Sequence, residues 1–155
     1  MTIETSSHAK DARRKALVVL ARADRKELAE AWRGLSEAPV VEILRPPEFG
    51  LVMARGRIGG GGAPFNLGEV TMTRCVVRLE TGEVGYGNVM GRDAERAEFV
   101  ARFDALAQNE RYREYVDTNL LAPVAARAQR DDETVRQETA ATRVNFFTMV
   151  RGEDE

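Results

Sequence analysis

Glu69-Val70-Thr71-Met72-Thr73-Arg74-Cys75-Val76-Val77-Arg78-Leu79, then Glu80-Thr81-Gly82-Glu83, then Val84-Gly85-Tyr86-Gly87-Asn88-Val89-Met90, is the stretch that decides the fold. Its first run is rich in β-branched residues and alternates. Val70, Met72, Arg74, Val76 and Arg78 share one parity; Thr71, Thr73, Cys75, Val77 and Leu79 share the other. A turn signal built on Gly82 follows, and the run after it returns as the partner strand of a hairpin. Gly85 and Gly87 inside that return strand mark either a bulge or a close backbone approach.

Upstream of the hairpin, Val40–Arg45 alternates in part and is stopped by Pro46-Pro47, because proline cannot donate to a ladder. Gly50–Ile58 alternates again, with Leu51, Met53, Arg55 and Arg57 on one parity and Val52, Ala54 and Ile58 on the other. Before these strands, Ala9–Gly34 carries the helical period. Ala12, Ala16, Val19, Leu20 and Ala23 form one apolar stripe. Asp24 with Glu27 resembles a capping box opening a second helix, which carries Leu28, Ala31, Trp32 and Leu35 and ends at Gly34 or just beyond it.

Downstream, Asp93 suits an N-cap, and Phe99, Val100, Phe103, Leu106 and Ala107 form the stripe of a third helix. Asn109–Asn119 reads as a short helix or turn. Pro123 suits the first position of a polar helix running to about Thr142. Val144–Val150 reads as a final strand-like segment. The whole predicts an α+β fold: a single domain over residues 9–152 whose central antiparallel sheet is flanked by N-terminal and C-terminal helices. Residues 1–8 are expected as a disordered tail and residues 153–155 as an acidic one.

Composition narrows the function classes. The chain has 155 residues, enough for one ordinary domain that buries roughly 68–70% of its unfolded surface. Its formal net charge is −2, which lacks the basic excess of a dedicated nucleic-acid protein. No apolar run approaches the ~18 residues of a membrane span. Met1–Lys10 is polar and shows no secretory signal. Cys75 is the single cysteine and has no internal disulfide partner, so a reducing cytoplasm is the expected location. Of 23 basic residues only Lys10, Lys15 and Lys26 are lysines. Arginine offers a planar fork for carboxylate or phosphate, so the excess points either to surface ion pairs or to interfaces and anionic ligands.

Candidate chemistry is sparse. Gly59–Gly62 permits close backbone approach to a ligand, but Ala63-Pro64-Phe65 follows where a phosphate loop needs Lys-Ser/Thr. It is either a strand connection or a phosphate cradle, the latter supported by Arg55 and Arg57 on the strand before it. Arg74 and Arg78 share a strand face four residues apart, placed either to bracket an anion or to pair with acidic side chains. Arg55, Arg57, Arg74 and Arg78 are therefore the candidate anion-binding or interface residues. His8 is the sole histidine, so metal binding is poorly supported beyond a carboxylate-only magnesium site, and no Ser-His-Asp arrangement can be assembled. Asp131-Asp132-Glu133 reads as a solvated acidic patch, and Cys75 as a small buried hydrophobe. No catalytic residue and no metal ligand is assigned.

Two segments point toward other chains. The helix Ala125–Ala141 offers little large apolar surface, so it is either solvated or docked through small residues and arginines. The tail Val144–Val150 is apolar on both parities, as a core strand or a strand donated to a partner would be.

Longer motifs carry a resemblance. Pro47-Glu48-Phe49-Gly50-Leu51-Val52-Met53, Pro64-Phe65-Asn66-Leu67-Gly68-Glu69, Thr73-Arg74, Val77-Arg78-Leu79, Gly91-Arg92-Asp93 and Thr142-Arg143-Val144-Asn145-Phe146-Phe147-Thr148-Met149-Val150-Arg151-Gly152 closely resemble the PhnG family, the small G subunit of the bacterial carbon–phosphorus lyase core complex. The likeness runs from about Pro46 to Gly152. It implies a subunit acting with the H, I and L subunits, which together couple a phosphonate such as methylphosphonate to C1′ of the ATP ribose and displace adenine. It further implies two copies packed with the I, H and J subunits, nucleosidase chemistry on the I subunit, ATP as a substrate of the complex, and no cofactor held by this chain alone. Asn145 stands where the family pattern has aspartate, which puts a metal or acid role there in doubt. The competing expectations are a free-standing nucleotide-binding or regulatory module built on Gly59–Gly62, Arg55 and Arg57, and an enzyme in its own right.

Overall fold

The computed structural model of the chain describes residues 3–57 and 62–141. Two helices, α1 (Ile3–Leu20) and α2 (Arg25–Arg33), precede three strands, β1 (Val41–Gly56), β2 (Phe65–Leu79) and β3 (Val84–Met90). After the sheet come α3 (Ala94–Gln108), α4 (Glu110–Val116), a π-helical stretch at Asp117–Leu121, and α5 (Ala122–Ala141). The strands form an antiparallel sheet in the order β1-β2-β3, with α3 lying across one face, α1, α2 and α4 packed against α3, and α5 against α1 and the π-helical stretch.

The expected hairpin forms as read, with Leu79 and Glu83 closing its turn and Gly82 at φ +104. Its register is regular from Met72↔Met90 to Arg78↔Val84, so Gly85 and Gly87 are not a bulge. They are a close approach. A Cβ on Gly85 would stand 1.9 Å from the Ala101 carbonyl oxygen, and one on Gly87 1.8 Å from that of Ala97. The backbone of α3 thus rests on bare strand backbone. That contact needs small residues on the helix as well, and Ala97, Ala101 and Ala105 supply them at four-residue spacing. Opposite this ridge, Val100, Phe103 and Leu106 are buried among Leu20, Leu28, Val116 and Leu120, with Trp32 set edge-on to Phe103 at 5.9 Å.

Three boundaries depart from the sequence reading. The N-terminal helix starts at Ile3 rather than at the expected Ala9, inside the stretch 1–8 expected as a tail. Neither Gly nor Pro interrupts Ile3–Leu20, so a helix anchored at its C-terminal end propagates back without a new nucleation cost. Pro46-Pro47 does not stop a strand, because β1 runs through both prolines. As the outermost strand it can spare an N–H, and the register slips between Arg45 and Glu48 to take the bulge. Pro123 does not open α5. Backbone helix continues from Glu110 through Ala141, and the chain widens to π geometry just before the proline. Widening there accommodates a ring that would clash with the carbonyl four residues back. Gly34 caps α2 as expected, and the Asp24–Glu27 capping box is present. The segment Val144–Val150, Asn145 and glycines 59–61 lie outside the described residues.

Candidate functional site

Arginine forks hold the helical body together. Asp104, buried on α3, accepts from Arg13 Nε at 3.0 Å and Nη2 at 2.7 Å, and from the Tyr86 backbone N–H at 2.9 Å. Arg13 Nη2 and Gln108 Nε2 both donate to the Val84 carbonyl. Tyr86 N–H and Val84 C=O belong to the free edge of β3, so these side chains close that edge against another strand. Arg127 on α5 grips Glu27 through two bonds, of 2.7 and 3.0 Å, and donates to the Arg22 carbonyl. Arg22 in turn holds Asp132. The hydrogen bond from Arg127 pulls the Glu27 carboxyl below its ordinary pKa and lifts the guanidinium above its own. The polar helix α5 is therefore docked along its first half, against this chain's own α1 and α2, with Val124 and Ala128 buried.

Two of the motifs quoted above meet in space. Thr73 is fully buried, and its Oγ1 donates to the Gly91 carbonyl at 2.6 Å while accepting from the Asp93 N–H at 3.1 Å. Gly91 sits at φ +85, a conformation that favours glycine, and Asp93 caps α3 by accepting from the Arg96 N–H. The Thr73-Arg74 and Gly91-Arg92-Asp93 pairs thus form one joint between sheet and helix. Burial raises the Cys75 thiol to a pKa of about 11, so it stays protonated near neutrality. Among the described residues no group of three or more His, Cys, Asp or Glu side chains could hold a metal, and no helix is long and apolar enough to cross a membrane.

The four arginines singled out from sequence do not converge. Arg78 pairs with Glu42 directly across the ladder, with bonds of 2.6 and 3.1 Å to one carboxylate oxygen. Arg74 lies on the same face, but four residues further along the strand, or roughly 13 Å, so the two do not bracket one anion. Its guanidinium crosses above Gly50, where a Cβ would stand 3.3 Å from Nη2. Arg55 pairs in register with Asn66, and Arg57 follows the end of β1. Arg55, Arg57 and Arg74 are exposed and make no ion pair with any described residue.

What does come together is an arm. β3 reaches only as far as Met72, so Gly50–Gly56 and Phe65–Thr71 continue past the body as a two-stranded ribbon. Residues opposite each other in an antiparallel ladder share a face. Phe49, Leu51 and Met53 face the same way as Thr73, Thr71 and Glu69, on the side that α3 covers lower down. Here nothing described covers them: they are 54%, 63% and 51% exposed. Leu67, 62% exposed, folds over Gly56 at the far end. Sequence alternation locates these side chains but not their lack of cover, which depends on where α3 stops.

The chain is thus a small α+β protein with an arginine-clamped body and an apolar ribbon that no described residue covers. The family model described as phosphonate metabolism protein PhnG matches residues 11–152. A curated relative from Rhizobium meliloti (strain 1021), alpha-D-ribose 1-methylphosphonate 5-triphosphate synthase subunit PhnG, is 54% identical over 142 residues, covering 92% of this chain and 90% of its own. The chain belongs to the PhnG family.

Proposed function

We propose that this chain is a subunit of an alpha-D-ribose 1-methylphosphonate 5-triphosphate synthase, and so of a carbon–phosphorus lyase assembly. The identity to the Rhizobium meliloti synthase subunit along nearly the full length of both chains carries this reading. The synthase joins a phosphonate to C1′ of the ATP ribose and releases adenine, with ATP a substrate of the assembly and no cofactor held by this chain alone. Its partners are the H, I and J subunits and, in function, the L subunit, with two copies of this chain per assembly in the cytoplasm. The chain's share is scaffolding, supported by the arginine clamps that rigidify the body and by the uncovered ribbon.

Reconstitution tests this. Adenine release from ATP and methylphosphonate is measured with the other synthase subunits, with and without this chain. Release that requires this chain, while the lone chain releases none, is expected. Undiminished release without it would sink the proposal, and micromolar binding of ATP by the lone chain would favour the nucleotide-binding module instead.

A further inference from the structure

The ribbon is the part of the molecule whose chemistry the described residues leave unused. An isolated two-stranded hairpin is only marginally stable in water, and a row of exposed Phe49, Leu51 and Met53 spends roughly 13 Å of strand on apolar contact with solvent. Contiguous apolar surface of this kind marks an interaction site. The far edge is also open. β3 has its edge bonded by Arg13, Gln108 and Asp104, whereas β1 is the outer strand and no described side chain donates to the edge of Phe49–Gly56. Pro46 and Pro47 protect only the near part of that edge.

Charge identifies the occupant. Arg45, Arg55, Arg57 and Arg74 stand on the ribbon and its base against Glu48 and Glu69, a local excess of +2 on a chain of net charge −2. A second copy of this chain docking by the same face would set Arg55 and Arg57, which make no ion pair with any described residue, against their own like, which disfavours the contact. We infer that the β1–β2 ribbon docks on a different subunit of the synthase, whose surface there is apolar at its centre and acidic at its rim. Phe49, Leu51 and Met53 fill the apolar centre, and Arg55 and Arg57, at and just past the far end of the same strand, pair with the rim carboxylates. This rests on the subunit reading above.

The test uses the full chain, tagged and co-expressed with the other synthase subunits. Three variants are compared with wild type: L51E together with M53E; R55E with R57E; and V135E, which places the same charge on an exposed site of α5 away from the ribbon. Both ribbon variants are expected to reduce the co-purified subunits at least tenfold, while V135E retains them and all variants melt within a few degrees of wild type. Full retention by the ribbon variants overturns the inference while leaving the subunit reading intact. A wild-type chain that captures no subunit removes the subunit reading and this inference with it. Gel filtration of the lone chain supplies the remaining outcome: a dimer that L51E dissociates would make a second copy the occupant and overturn the inference.

Discussion

β2 is one strand with two surroundings. From Met72 to Leu79 it lies between β1 and β3 under α3, with Thr73, Cys75, Val77 and Leu79 buried. From Phe65 to Thr71 β1 is its only strand neighbour among the described residues, and the large side chains on that partner are exposed. The alternation is equally good in both halves. The difference is what the neighbouring positions permit: Gly85 and Gly87 with Ala97, Ala101 and Ala105 let a helix reach the sheet backbone, whereas Phe49, Leu51 and Met53 stand exposed with no described residue over them. Stability is concentrated in the first half and surface available for association in the second.

Adding one methyl group to each half breaks the comparison most sharply. Gly87→Ala puts a Cβ 1.8 Å from the Ala97 carbonyl oxygen, a backbone atom that cannot turn away. Moving α3 off the sheet should cost about 3 kcal/mol or more, with each kcal/mol lowering the Tm by roughly 2–4 °C. Gly50→Ala meets only the mobile end of Arg74 at 3.3 Å, and its Tm should stay near wild type. Equal melting of the two variants would show that the glycine contact does not govern the body.

Asp104→Ala comes next. The carboxylate is 1% exposed and serves Arg13 and the Tyr86 N–H, and the Arg13 side chain is 33% exposed. Water reaches the arginine once its partner is gone, so the loss should be about 2 kcal/mol rather than that of a fully buried pair. Chemical denaturation checks it, and a double-mutant cycle with Arg13→Ala should return a coupling of about 1 kcal/mol. A coupling near zero would show that Asp104 matters only through the β3 edge.

How far sequence alone reaches differs between the same two regions. The β2–β3 hairpin, both capping residues and the inward stripe of α3 follow from local periods and turn chemistry, so Gly82, Asp24 and Asp93 announce them. Strand continuity through Pro46-Pro47 does not follow, because it depends on β1 being an edge, which is a fact of sheet order. Pro123 misleads for a similar reason, since packing of Val116, Leu120 and Val124 keeps the helix going across it. The candidate arginines are legible as residue types only. Arg78 finds Glu42 through register, Arg74 lies too far along the strand to share its ligand, and the arginines that clamp the body, Arg13 and Arg127, sit 91 and 100 residues from their carboxylates.

The smallest effect separates the arginines that have carboxylate partners from those that have none among the described residues. Glu27 is held below its usual pKa of 4.5, chiefly by the hydrogen bond from Arg127. A carboxyl with a lowered folded pKa adds stability above its unfolded pKa and loses it as pH falls through the folded value. Glu27→Gln should therefore cost about 1 kcal/mol at pH 7, and the gap to wild type should close as pH drops below about 4.5. On the ribbon, Arg74 has no described carboxylate to protect, so Arg74→Gln should leave the acid-unfolding profile of the lone chain unchanged. Acid titration of both variants beside wild type reads this out. A shifted profile for Arg74→Gln would mean that the ribbon contributes to the chain's own fold, and the division between a self-sufficient body and an arm reserved for a partner would no longer hold.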